Sequence, residues 1–193
     1  MLRLFAASVV LLAGLLGYAK ATAVGFDDVN QQIGSRLWSE MRYRYDHSPH
    51  DNPIWTQLKQ AVAGHTGMSL LIEVNDRINQ FKYVTDLDNY GEFDYWATPF
   101  ELISHGGGDC EDYALAKYFL LLESGVPVKD MWVEVVFSPY GAHAVLVVRL
   151  GFNDWYVMDQ QTGQIVPSTR NPYQELYLIS DAGYRSRLAS LAP

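Results

Sequence analysis

From Asp27 to Tyr45, apolar side chains recur three and four residues apart, at Val29, Ile33, Leu37, Trp38, Met41 and Tyr45. This spacing lines one face of an α-helix, and Asp27 and Asp28 stand where such a helix would start. Pro53 ends a polar stretch and opens a second, shorter helical pattern through Trp55, Leu58, Val62 and His65. A third runs from Ser69 to Tyr83 on Leu70, Leu71, Val74, Ile78 and Phe81. The first half of the chain is therefore predicted to be helical.

Val84 to Trp96 breaks the pattern and reads as an irregular loop rich in Asp, Asn, Gly and Tyr. Its acids do not fit a helix-loop-helix calcium loop. Counted from Asp86, Tyr90 takes the fifth position, and Ala97 stands where the bidentate Glu belongs. Thr98-Pro99-Phe100-Glu101 has the form of a capping box with proline at the first helical position, opening a short helix to Ser104. After Gly106-Gly107-Gly108 comes Asp109-Cys110-Glu111-Asp112, which leads into an almost wholly apolar run to Glu123, stopped by Gly125 and Pro127. A helix apolar on most sides is a buried central helix, here with Cys110 at its N-terminus.

The period then changes. Met131 to Phe137, His143 to Leu150 and Trp155 to Asp159 are short β-branched or aromatic runs separated by turn residues, the pattern of an antiparallel meander packed on the central helix. Beyond Ile165 the signals are weaker: one more strand at Tyr177 to Ile179 and a short tail helix. The fold class is α+β, with a helical N-terminal half.

Composition narrows the partners. The chain has 193 residues, 49% of them hydrophobic, and a formal charge of -8, a balance that argues against nucleic acid. Residues 1–21 combine Arg3, an apolar run from Leu4 to Gly17 and small residues at Ala19 and Ala21, the parts of a cleaved secretory signal. That leaves 22–193 as a single domain exported to an oxidising compartment. Cys110 is the lone cysteine, so neither an intrachain disulfide nor a thiolate zinc cluster can form.

A thiol needs help to become the nucleophilic thiolate, and a helix N-terminus offers it. Asp109, Glu111 and Asp112 work the other way, because they raise the thiol pKa if left bare. Two readings stay open for them: capping carboxylates turned to solvent, or ligands for a hard cation such as Ca²⁺. His143, at a strand start, is the best general base and Asp159, at the end of the next strand, its orienting acid. If the hairpin loop is the three residues Gly151 to Asn153, Asp159 faces Val145 and His143 lies two positions along on the same side, within diagonal reach; a two-residue loop would put the two on opposite faces unless a bulge intervened. The competing structural reading makes Cys110 a small core residue, His143 a hydrogen-bonded strand terminus and Asp159 a turn former.

The order Cys, His, Asp, with the cysteine heading a buried helix, resembles the transglutaminase-like branch of the papain-type cysteine hydrolases. Gly107-Gly108-Asp109-Cys110-Glu111-Asp112-Tyr113-Ala114, Lys117-Tyr118, Ala142-His143-Ala144-Val145-Leu146, Met158-Asp159 and Ile165-Val166-Pro167 resemble more closely the bacterial transglutaminase-like cysteine proteinases of the LapG type. The resemblance implies Cys110 as nucleophile, His143 as base and acid, and Asp159 as the residue orienting the imidazole. It further implies a calcium site at Asp109 and Glu111, with Asp112 a weaker third ligand. It also implies a periplasmic enzyme that cleaves a large surface adhesin near its N-terminus, releasing cells from a biofilm. An inner-membrane cyclic-di-GMP receptor would restrain it. Acyl transfer to an amine, and a catalytically silent binding module, are the alternatives.

Overall fold

The computed structural model describes residues 21–186. Apart from Ala21, the signal segment lies outside the described residues, and so does the chain beyond 186, where the tail helix was expected.

Helix α1 spans Ala21–Asp46, so Asp27 and Asp28 lie within it instead of starting it. Asp27 is buried, and its carboxylate accepts a hydrogen bond from the Tyr184 hydroxyl (3.0 Å). Leu37, Trp38, Met41 and Tyr45 form its buried face, while Val29 is left exposed. Helix α2, Pro53–Val62, starts where the Asn52 side chain accepts the backbone N–H groups of Ile54 and Trp55. It ends before His65, which is exposed. Helix α3, Gly67–Ile78, stops short of Phe81. The predicted third helix is shortened because Lys82–Tyr83 form a short strand, β1, instead.

The expected loop contains one helical turn, α4 (Asp86–Asn89), and the capping box appears at α5 (Pro99–His105), with both reciprocal bonds between Thr98 and Glu101. Strand β2 (Gly107–Gly108) pairs in parallel with β1. Helix α6, Cys110–Glu123, is the centre of the molecule. Every side chain from Tyr113 to Leu121 is at most 2% exposed, because the sheet covers one side and α2, α3 and α5 pack on the others. At its C-terminal end Glu123 receives the Tyr45 hydroxyl (2.5 Å), Trp55 Nε1 (2.8 Å) and Lys59 Nζ (3.1 Å). These donors offset the unfavourable placement of an acid at the negative end of a helix.

The sheet comprises β3 (Met131–Ser138), β4 (Gly141–Arg149), β5 (Trp155–Met158), β6 (Ile165–Pro167), β7 (Gln174–Ser180) and β8 (Gly183–Arg185). Their order is β6-β5-β4-β3-β7-β8, antiparallel throughout. Pairing of Ser138 with Gly141 leaves only Pro139 and Tyr140 in the turn, so β4 begins earlier than expected and His143 lies inside the strand, opposite Val136. The β4–β5 register is the one derived from a three-residue loop. Leu150 N–H donates to Asp154 O (2.9 Å) and Leu146 pairs with Met158, which places Asp159 just beyond the strand, level with Val145. Ala144, Leu146 and Val148 join the main core beneath α6, while Val145 and Val147 pack with Val157 in a smaller cluster.

One charged residue is enclosed by this packing. Lys117 is fully buried in α6, and its Nζ has no hydrogen-bond partner. Burial drives its pKa down to about 7 against the opposing charge of Asp159. Its folded value lies below the unfolded ~10.4, so the group's penalty is full at and below pH ~7 and fades as pH rises toward ~10. Lys117→Met, which keeps the apolar stem, should therefore raise the unfolding free energy by on the order of 3 kcal/mol at pH 7. Urea titrations at pH 7 and pH 10 check this, and the gain should shrink at the higher pH.

Candidate active site

The start of α6 is shaped by glycines. Gly106 ends α5 in the left-handed region (φ 72°), where glycine carries no steric penalty. A Cβ on Gly107 would collide with the carbonyl oxygen of Lys82, and one on Gly108 with the Asp112 carboxylate. These glycines thus serve the chain's own packing. They hold β2 against β1, and that pairing folds the 84–97 loop over the head of the helix.

The loop brings an acid that its linear spacing did not reveal. Carboxylate oxygens of Asp86, Asp109 and Glu111 lie within 4.8 Å of one another. Asp86 Oδ2 accepts the Tyr95 N–H (2.6 Å), while Asp86 Oδ1 and Asp109 Oδ1 are buried with no partner. Burial raises the Asp86 carboxyl to about 7, with further elevation from Asp109. Burial likewise lifts Asp109 to about 6 and Glu111 well above the usual range, the latter also repelled by Asp109 and Asp112. Oxygen ligands of this kind, buried and unsatisfied, fit a hard cation such as Ca²⁺. Asp112 stands apart from the group. Its Oδ1 accepts the Ala97 N–H (2.7 Å) and its Oδ2 the Asp109 N–H (3.2 Å), so both oxygens are spent on holding the loop and the helix start.

Cys110 is half-buried at the first position of α6, and its thiol donates to Glu111 Oε2 (3.0 Å). Burial, then the charges of Glu111 and Asp109, push the thiol well above its ordinary pKa; the Ala144 backbone N–H works in the opposite direction. Across the cleft, His143 is buried with Nε2 2.8 Å from Asp159 Oδ1. With the shared proton on Nε2, Nδ1 keeps a free lone pair. Asp159 Oδ1 also accepts the Gln161 N–H (2.9 Å), and Oδ2 accepts the hydroxyls of Thr162 (3.0 Å) and Tyr173 (2.8 Å). Burial alone would raise this carboxyl, but the bonds from His143 and Tyr173, the charge of His143 and the Gln161 N–H outweigh it and hold Asp159 at about 2.

Cys110 and His143 face a common cleft of about 760 Å³, whose walls include Asp86, Trp96, Ala144 and Tyr140. Among the described residues the thiol's hydrogen bond goes to Glu111 and not to the imidazole. Trp96 Nε1 donates to Asp94 (3.2 Å). The other histidines are engaged elsewhere: His47 stacks on Tyr43, His50 meets the Tyr45 carbonyl and His105 lies against Tyr90, while His65 is exposed. Sequence reasoning missed Asp86, Thr162 and Tyr173. The linear spacing presents Asp86 only as part of a loop, and the region holding Tyr173 carries only weak strand signals. A thiol at a helix head that shares a cleft with a carboxylate-held imidazole suits attack on a carbonyl followed by protonation of the leaving group, once the imidazole has taken the thiol proton.

The family model described as bacterial transglutaminase-like cysteine proteinase BTLCP matches residues 59–186. No curated protein sequence matches significantly. Among solved structures, calcium-bound LapG of Legionella pneumophila is similar at 26% identity and a TM-score of 0.63, over 88% of each chain. EGTA-treated LapG of the same organism is similar at 27% identity and a TM-score of 0.64, over 86% of this chain and 88% of that one.

The acid cluster predicts a pH dependence. In a cation-free buffer the folded state holds protons on these carboxyls that the unfolded state, with ordinary values near ~4, has released. The associated stability is full below pH ~4 and is lost as pH rises through the folded values of about 6 for Asp109 and about 7 for Asp86. Thermal unfolding in chelator should therefore show a lower Tm at pH 8 than at pH 5.5, and added calcium should raise Tm more at pH 8. An equal calcium response at both values would contradict this.

Proposed function

Because the chain belongs to the bacterial transglutaminase-like cysteine proteinases, we propose that it is a periplasmic, calcium-dependent cysteine endopeptidase. Its substrate in this reading is the N-terminal region of a large surface adhesin, with an inner-membrane cyclic-di-GMP receptor holding it in check. The observation that carries the proteolytic part is Cys110 at the head of α6 sharing a cleft with a His143 that Asp159 holds through Nε2. The periplasmic part rests on the signal-like residues 1–21, and the adhesin and receptor on the resemblance of the motifs around Cys110, His143 and Asp159. Calcium dependence is supported by the unpartnered oxygens of Asp86 and Asp109 beside Glu111, and by relatives solved with calcium and after EGTA treatment.

His143 takes the thiol proton, and the Cys110 sulfur attacks the scissile carbonyl carbon. Backbone N–H groups at the start of α6, that of Cys110 included, face the developing oxyanion. As the C–N bond breaks, His143 returns its proton to the departing amine, leaving a thioester. Water then adds to that thioester with its proton passing to His143, and the acid product leaves as the thiol is reprotonated. Asp86, Asp109 and Glu111 would hold the ion, whose charge offsets theirs beside the sulfur.

Co-expression with an adhesin N-terminal fragment tests the reading. Wild-type protein should cleave it, and Cys110→Ala should reduce cleavage by at least ~10³-fold. EGTA should abolish cutting and excess calcium restore it. Undiminished cleavage by Cys110→Ala would refute the assigned nucleophile, and cleavage indifferent to EGTA would refute the calcium requirement.

A further inference from the structure

Asp159 can orient an imidazole only if its own carboxylate is kept from turning. Oδ1 is shared between His143 Nε2 and the Gln161 N–H, whereas Oδ2 is held by two side-chain hydroxyls. Thr162 belongs to the same turn as Asp159 and moves with it. Tyr173 comes from the segment before β7 and is anchored elsewhere. Its backbone N–H donates to Asn171 Oδ1 (3.2 Å), and Asn171 Nδ2 donates to Glu134 Oε2 on β3 (3.2 Å). The Tyr173 ring also stands edge-on to the His143 imidazole, with centroids 5.4 Å apart and planes at 78°. Among the described residues it is the one side chain that both hydrogen-bonds Asp159 and packs its ring on His143.

We propose that Tyr173 is a positioning residue for the proteolytic reaction, its hydroxyl fixing the rotation of the Asp159 carboxylate while its ring fixes the tilt of the His143 imidazole. The Nε2–H···Oδ1 bond is then referenced to the β3 frame through Asn171 and Glu134, and not to the 159–164 turn alone. Burial and the bond to Asp159 raise the Tyr173 phenol above its ordinary value, so the hydroxyl stays a donor across the working pH range. The inference rests on the reading of Cys110, His143 and Asp159 given above.

Two variants of the full chain separate positioning from support. Tyr173→Phe keeps the ring and deletes the hydroxyl, and it should lower kcat on an adhesin-derived peptide about tenfold while KM stays within about twofold. Tyr173→Leu removes both contacts and should lower kcat roughly a hundredfold. In protein labelled with ¹⁵N-histidine, the His143 Nε2–H resonance should shift or exchange faster with water in Tyr173→Phe, with Tm little changed. An unaltered resonance together with kcat within twofold of wild type would overturn the proposal. So would a loss of activity that follows Tm alone with the resonance unmoved. If wild-type protein cleaves no adhesin peptide, the functional reading fails, yet the resonance still decides whether Tyr173 sets the imidazole.

Discussion

The interaction on which the rest depends is electrostatic: a sulfur and several carboxylates are forced together at the head of a buried helix. At the head of α6 they line a cleft, Asp86 buried and Asp109, Cys110 and Glu111 half-buried, so water screens them less than it would on an open surface. Like charges in a poorly solvated site raise one another's pKa values, and Asp86, Asp109, Glu111 and the Cys110 thiol are all shifted upward. The fold tolerates this because the strain is local. Asp112 is tied to the Ala97 and Asp109 amides, and the rest of the helix contributes apolar packing. The large fully buried side chains of α6 each supply about 1.5–3 kcal/mol of burial.

Asp159 is the electrostatic opposite of the acid cluster. It is no less confined, yet its oxygens meet four donors and its carboxyl is held low. Two acid sites on one molecule thus diverge through donor supply, one prepared to remain an anion and the other short of positive partners. Such divergence separates a carboxylate hydrogen-bonded to an imidazole from carboxyls whose charge is left uncompensated.

Much of this was readable in the sequence wherever a local rule fixed a distant outcome. Loop length decides whether Asp159 shares a face with His143, and of the two lengths the sequence allows the structure takes three residues, which puts Asp159 level with Val145. The box at Thr98 and Glu101 set the start of α5, and the unbroken apolar run marked α6 as central. What escaped depended on contacts between segments that are far apart in the chain. Asp86 reaches the cluster because β1 pairs with β2, and a two-residue parallel bridge leaves no periodic trace. The periodicity overextends the third helix because Phe81 continues its spacing, although Lys82 and Tyr83 go to that bridge. Strands β6 and β8, three residues each, are too short to show alternation, and Tyr173 lies in a segment with no period at all.

The outer strands of the sheet have a further effect. Both margins are only three residues long, and one of them ends in Pro167, which has no amide hydrogen to offer. Margins so brief present few unpaired backbone groups to the edge of another sheet. A passing polypeptide gains few backbone hydrogen bonds by adding itself as a seventh strand.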